Sequence, residues 1–172
     1  MFLVGFMGAG KTSVGQALAS RLGWQFFDLD GRIEAGQKRA IADIFRENGE
    51  NEFRRLESEE LQRLLRELES STGGAVVALG GGTFVQPAHA HSLRNCGYTV
   101  FLDAPVAELW RRAQAAQGTR PLALSENHFR QLYAARRTRY MEADHCVRTE
   151  GRAVAEVAAE IAARLELGGE PR

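Results

Sequence analysis

Two cysteines among 172 residues rule out a disulfide scaffold. Cys96 and Cys146 stand far apart with no metal-ligand spacing, so both are expected as buried free thiols, which suits a reducing compartment. Long apolar runs are also missing. No stretch approaches the ~18 apolar residues of a membrane span, and the opening MFLVGFM lacks both the basic leader and the length of a secretory signal's apolar core. The expected setting is the cytoplasm, with no membrane partner. An excess of one charge sign is absent: 22 basic and 22 acidic residues balance, which argues against a nucleic-acid or membrane-surface binder and requires any basic cluster to be local and specific. Neither an internal repeat nor a linker long enough to separate domains is visible.

What is present has the proportions of an ordinary globular protein. Hydrophobic residues at 44% and charged ones at 26% exclude disorder, and the length fits a single domain over 1–168 with a frayed tail at 169–172. Short β-rich runs (FLVGF, WQFFDLD, AVVALGGG, YTVFLDA and HCVRT) alternate with helical patterns, the signature of an α/β fold with a parallel sheet. VVAL and TVFL are continuously apolar, as strands covered on both faces should be. Pro87 and Pro105 suit first helical turns, and Asn48-Gly49 marks a break between two helices. Only four residues precede Gly5, a short run for a central strand of ~5 to 6 residues: either that strand is short or the chain's start lies upstream.

Gly5, Gly10, Lys11 and Thr12 fit G-x-x-x-x-G-K-[ST] between an apolar strand and a helical pattern, the context a phosphate-binding loop requires. Glycines let successive N–H groups turn inward as an anion nest, and the following helix adds its positive end. Gly8, Ala9, Gly10, Lys11, Thr12 and Ser13 are therefore the candidate nucleotide-phosphate residues, with Lys11 reaching the outer phosphates. The Thr12 hydroxyl is a candidate ligand for Mg²⁺, one ion per subunit. Gly15 serves close helix packing or is simply a small residue.

Asp28 and Asp30 stand two apart in WQFFDLD, so on an extended chain both carboxylates point to one face beside the loop. Asp28 is expected to hold the metal through water, and Asp30 to meet a substrate hydroxyl or take its proton. The plainer reading of Asp30 is a helix cap. Further on come Phe53-Arg54 with Glu57, Gly80-Gly81-Gly82, Arg120-Pro121-Leu122, and Arg136 four residues before Tyr140.

Taken in order, these motifs resemble the shikimate kinases, and the match runs from position 2 to about 152. The resemblance implies a three-layer P-loop NTPase fold, a five-stranded parallel sheet of order 2-3-1-4-5 flanked by helices, an acceptor-binding region at about 30–60 and a mobile lid at about 112–125. It implies phosphorylation of the shikimate 3-hydroxyl by ATP as co-substrate, in a protein expected to be a monomer. It also implies that Arg54 and Arg136 grip the shikimate carboxylate, a task that suits forked guanidinium donors. Asp30 would hold ring hydroxyls, and Gly80, Gly81 and Gly82 would line the ring, with Gly81 giving the close approach. By the same resemblance Arg120 meets the phosphates, and Arg112 and Arg152 contact adenine, although both could equally be surface residues.

The proposed catalytic set is Lys11, Asp30 and Arg120. Glu57 is read as orienting Arg54, and Ser125 as capping a helix. Ala40 stands where the family has a capping serine, so the helix beginning IADIF should start weakly; Thr138 and Arg139 replace a Pro-Leu before the tyrosine. His89, His91, His128 and His145 lie outside every motif and read as surface or packing residues. Rival readings are a gluconate or nucleoside monophosphate kinase on the same fold, and a noncatalytic nucleotide-binding protein.

Overall fold

The computed structural model describes residues 1–115 and 125–165. The chain order is β1 (Phe2–Val4), α1 (Lys11–Leu22), β2 (Gln25–Asp28), α2 (Leu29–Gln37), α3 (Ile41–Glu69), β3 (Ala75–Ala78), α4 (Pro87–Cys96), β4 (Thr99–Asp103), α5 (Val106–Ala115), α6 (Glu126–Tyr140), β5 (His145–Arg148) and α7 (Val154–Arg164). All five strands pair in parallel, in the order β2-β3-β1-β4-β5. The α/β architecture and strand order anticipated from the sequence are those observed.

β1 is short, three residues, yet it is the middle strand: Phe2 pairs with Val77 of β3 on one side and Thr99 of β4 on the other. Its residues and all of β3 are buried, which is why both runs are apolar without alternation. Crossovers between parallel strands are right-handed, so connections running in opposite directions along the sheet lie on opposite faces. The step from β1 out to β2 puts α1 on one face; the steps from β2 back to β3, and on to β4 and β5, put α2 to α6 on the other. α7 returns to pack on α1, while α3 meets α4 and α5 meets α6. Gly15 belongs to this packing, since a Cβ there would strike the Phe26 ring and the Leu3 side chain.

Several local expectations meet their test. Gly49 interrupts α3 with φ 80° and ψ 176°, the break anticipated at Asn48-Gly49. Pro87 opens α4, whereas Pro105 sits one residue ahead of α5 and accepts the amide of Leu109 through its carbonyl. Ser125 caps α6 by accepting from the His128 amide at 3.2 Å. Both cysteines are free but not buried: Cys96, the last residue of α4, is exposed, and Cys146 is half-buried. Ala40 gives α3 no side-chain cap, but the Glu34 carboxylate reaches across from α2 and accepts from the Ile41 amide at 2.9 Å. The helix start is therefore supported by a group that local sequence inspection does not pair with it. Most of the anticipated lid, 116–124 with Arg120, Pro121 and Leu122, and the tail at 169–172 lie outside the described residues.

Candidate active site

The carboxyl ends of the strands carry the chemistry, as expected where β1 and its neighbours feed connections in opposite directions. The loop after β1 turns through positive φ at Gly5 (146°), Gly8 (79°) and Gly10 (88°), conformations an L side chain rarely adopts. Gly10 is the left-handed residue from which α1 starts, and no side chain caps that helix. Its first amides are therefore directed at whatever anion the loop holds. Lys11 Nζ donates to the carbonyls of Gly5 (2.9 Å) and Phe6 (3.0 Å), clasping its own loop.

The two aspartates differ from the extended-strand picture. β2 ends at Asp28, and Asp30 is already in the first turn of α2. Asp28 is the cap: its Oδ1 accepts from the Gly31 amide at 3.2 Å, while Oδ2 accepts from the Thr12 hydroxyl at 2.7 Å. A strand-to-helix transition between them, rather than the two-residue period of a strand, sets where they point. Both nevertheless line one cavity of about 460 Å³, with Gly8, Ala9, Gly10, Lys11, Thr12, Ser13 and Gly81. That volume falls in the ~300–1,000 Å³ range of small-molecule sites.

The cavity is also lined by Arg112 and Arg152 together with Thr149, Val154 and Val157. Arg112 donates to Thr149 Oγ1 (3.2 Å) and the Thr149 carbonyl (3.0 Å) and pairs with Glu108. Arg152 donates to the Arg148 carbonyl (3.0 Å) and pairs with Glu160. Both are held half-buried at the cavity rather than loose on the surface. The sequence reading missed Thr149, Val154 and Val157; the signal available was an apolar pair following Arg152 at a helix start, with Val154 left 40% exposed.

Beside the cavity, the turn after β3 gathers the remaining predicted residues. A Cβ at Gly80 would come within 2.6 Å of Asp30 Oδ1 and 3.0 Å of Glu57 Oε1, and one at Gly82 would fall on the Arg54 guanidinium. Gly81 is the roomier position, its nearest neighbours being the Gly5 carbonyl at 3.7 Å and Arg136 Nη1 at 3.9 Å. Close protein packing thus accounts for Gly80 and Gly82, while at Gly81, the position expected to let an acceptor ring approach, the protein itself leaves room. The Gly81 carbonyl accepts from the Tyr140 hydroxyl and from Arg136 Nη1 (3.4 Å), which ties α6 to the turn. Burial drives the Tyr140 hydroxyl's pKa well above its ordinary value, against the pull of Arg136 and Arg54, so it remains a donor.

Arg54 is not a solvated helix arginine. Its Nη1 meets Glu57 Oε2 at 2.8 Å and its Nη2 meets Glu50 at 3.0 Å, and its side chain is only 18% exposed. Burial acts to lower its pKa, and Glu57 and Glu50 more than offset that, so the cation is secure. Glu57 is fully buried and takes a second bond from Thr83 Oγ1 at 2.6 Å. The Arg54 guanidinium and the Thr83 hydroxyl both donate to it, which offsets the cost of burying that carboxylate. Thr83 and Tyr140 are therefore supporting residues that sequence motifs alone did not assign. Asp30, Arg54, Gly80–82 and Arg136 are brought together around this turn, while Arg120 lies outside the described residues.

Thr12 and Asp28 offer a hydroxyl and a carboxylate to one point of the cavity, a hard oxygen donor set that suits Mg²⁺. No group of three or more His, Cys, Asp or Glu side chains that could hold a metal occurs among the described residues. A cation there would complete its shell with water and phosphate oxygens, as Mg²⁺ commonly does at nucleotide sites.

Comparison with known proteins extends this picture. The family model for shikimate kinase matches residues 7–166. A shikimate kinase of Symbiobacterium thermophilum is 40% identical over 174 aligned residues, covering 98% of this chain and 97% of its own. Among solved structures, a shikimate kinase from Acinetobacter baumannii in complex with shikimate superposes with a TM-score of 0.87 at 34% identity, covering 99% of this chain and 94% of that one. A gluconokinase from Sinorhizobium meliloti superposes with a TM-score of 0.55 at 20% identity over 96% of this chain and 94% of that one, a likeness of fold alone.

Proposed function

The chain belongs to the shikimate kinase family, and from that premise we propose that the turn at Gly80–Gly82 and the glycine loop hold acceptor and donor respectively. The enzyme transfers the γ-phosphoryl group of ATP to the 3-hydroxyl of shikimate, giving shikimate 3-phosphate and ADP, a step of chorismate and aromatic amino-acid biosynthesis. The observation that carries the residue assignment is convergence: Asp30, Arg54 and Arg136 come from three helices to one glycine turn beside the phosphate loop. An acid bearing hydroxyls needs that combination, forked cations for the carboxylate and an acceptor carboxylate for the hydroxyls.

In this reading the acceptor's carboxylate sits between the Arg54 and Arg136 guanidiniums, and Asp30 accepts from ring hydroxyls and is placed to take the proton of the attacking one. Positioning supplies much of the rate when the transition state is loose. The loop amides, Lys11 and, on sequence grounds, Arg120 bind the phosphates, while Arg112, Arg152 and Val154 border the base. Thr12 would hold Mg²⁺ directly and Asp28 would hold it through water; when bound, that cation neutralises phosphate charge. A cytoplasmic monomer is the setting that accompanies this reading. Among the described residues no helix is long and apolar enough to cross a membrane.

The test is ATP turnover with shikimate, gluconate and AMP offered separately. Shikimate alone should give ADP at a rate well above the no-acceptor background. Turnover with gluconate or AMP and none with shikimate would replace the acceptor assignment.

A further inference from the structure

His89 lies outside every motif of the sequence, on α4, and in the structure it joins two walls of the acceptor site. One ring nitrogen, Nδ1, is 3.1 Å from the Thr83 carbonyl in the turn that follows Gly80–Gly82. The other, Nε2, is 2.9 Å from Ser58 Oγ on α3, and Ser58 Oγ is in turn 2.8 Å from the Arg54 carbonyl. The same Thr83 uses its side chain to bond Glu57, the partner of Arg54. The residue that grips the acceptor and the glycine turn that lines it are therefore laced together twice, once through Glu57 and once through His89.

A carbonyl only accepts, so Nδ1 must carry a hydrogen to bond Thr83. Ser58 has one hydroxyl hydrogen and two acceptors competing for it, the Arg54 carbonyl and Nε2. With neutral imidazole one of those two bonds is lost. With imidazolium, Nε2–H donates to Ser58 Oγ, whose hydrogen goes to Arg54, and every link is made.

We propose that His89 is a positioning residue of the acceptor site, holding Arg54 and the Gly80–Gly82 turn in register through Ser58 and Thr83. This rests on the acceptor reading given above and extends it. His89 touches no reacting atom, so the effect falls on acceptor binding and not on the nucleotide.

The experiment measures kcat and the KM for shikimate and for ATP in the parent, His89→Leu, Ser58→Ala and His89→Gln. His89→Leu and Ser58→Ala should each raise the shikimate KM by roughly three- to tenfold, about the worth of one hydrogen bond, with the ATP KM unchanged. His89→Gln, which keeps a donor and an acceptor, should restore part of the loss. An unchanged shikimate KM in His89→Leu, or a parallel loss in both KM values, overturns the role of His89. A parent that turns over no shikimate overturns the acceptor reading itself, a separate and visible failure.

Discussion

A Cβ at Gly80 would press on Asp30 and Glu57 and one at Gly82 on Arg54, whereas Gly81 has only ordinary contact distances around it. The three glycines should therefore respond differently to alanine. Gly81→Ala is expected to melt within about 2 °C of the parent, since no neighbour must move. Gly80→Ala and Gly82→Ala should each lose ~1–3 kcal/mol to overpacking, a drop of roughly 3–10 °C in Tm at this chain length. If the acceptor ring lies against Gly81, its alanine variant should also keep its Tm while its shikimate KM rises. Thermal melts paired with kinetics check both, and a Gly81→Ala protein as destabilised as its neighbours would refute the assignment. At this scale the sequence was legible where residues belong to a contiguous motif, as in Gly8 to Ser13. It was not legible where partners are remote in the chain: nothing near Thr83 or His89 announces Glu57 or Ser58, because only the packing of α4 on α3 brings them together.

Elements show the same division. The strands were readable because β1 and β3 are uninterrupted apolar runs and β4 has Val-Phe-Leu at its centre, and the break in α3 because glycine holds φ 80° cheaply. The boundary at Asp28–Asp30 was misread as continuous strand, since FFDLD alternates well enough to pass for one until Asp28 folds back to cap Gly31. The start of α3 was judged by its Ala40 alone, and the Glu34 carboxylate arriving from α2 lay beyond that window. Glu34 satisfies the first amide, Ile41, while a capping side chain at position 40 would serve the second or third. Ala40→Ser should therefore still stabilise, by about 0.5–1 kcal/mol, and Glu34→Ala should destabilise by ~1 kcal/mol. Urea melts of the two variants and their combination check this: near-additive changes are expected, and an Ala40→Ser with no effect would mean that Glu34 already meets the whole need.

On the scale of the molecule, the acceptor grip depends on connections that span most of the chain. Arg54 stands on α3, Arg136 on α6 and the turn they face follows β3, so the right-handed crossovers that set the strand order also set the distance between the two guanidiniums. The fold class was legible because alternation of strand and helix leaves few topologies; the side-chain register within it was legible only through the resemblance, since basic runs such as Arg136, Arg137 and Arg139 do not say which member faces inward. The structure separates them: Arg136 reaches Gly81, Arg137 pairs with Asp103 at 2.9 Å, and Arg139 pairs with Glu142 at 2.9 Å. The most direct measurement of the central claim is the steady-state kinetics of Arg54→Lys, which keeps a cation for buried Glu57 and removes the fork that a carboxylate requires. The shikimate KM should rise by roughly 10- to 100-fold, the worth of a charge-assisted hydrogen bond, with the ATP KM within about twofold of the parent. An unchanged shikimate KM in a folded, ATP-binding Arg54→Lys protein would contradict the account.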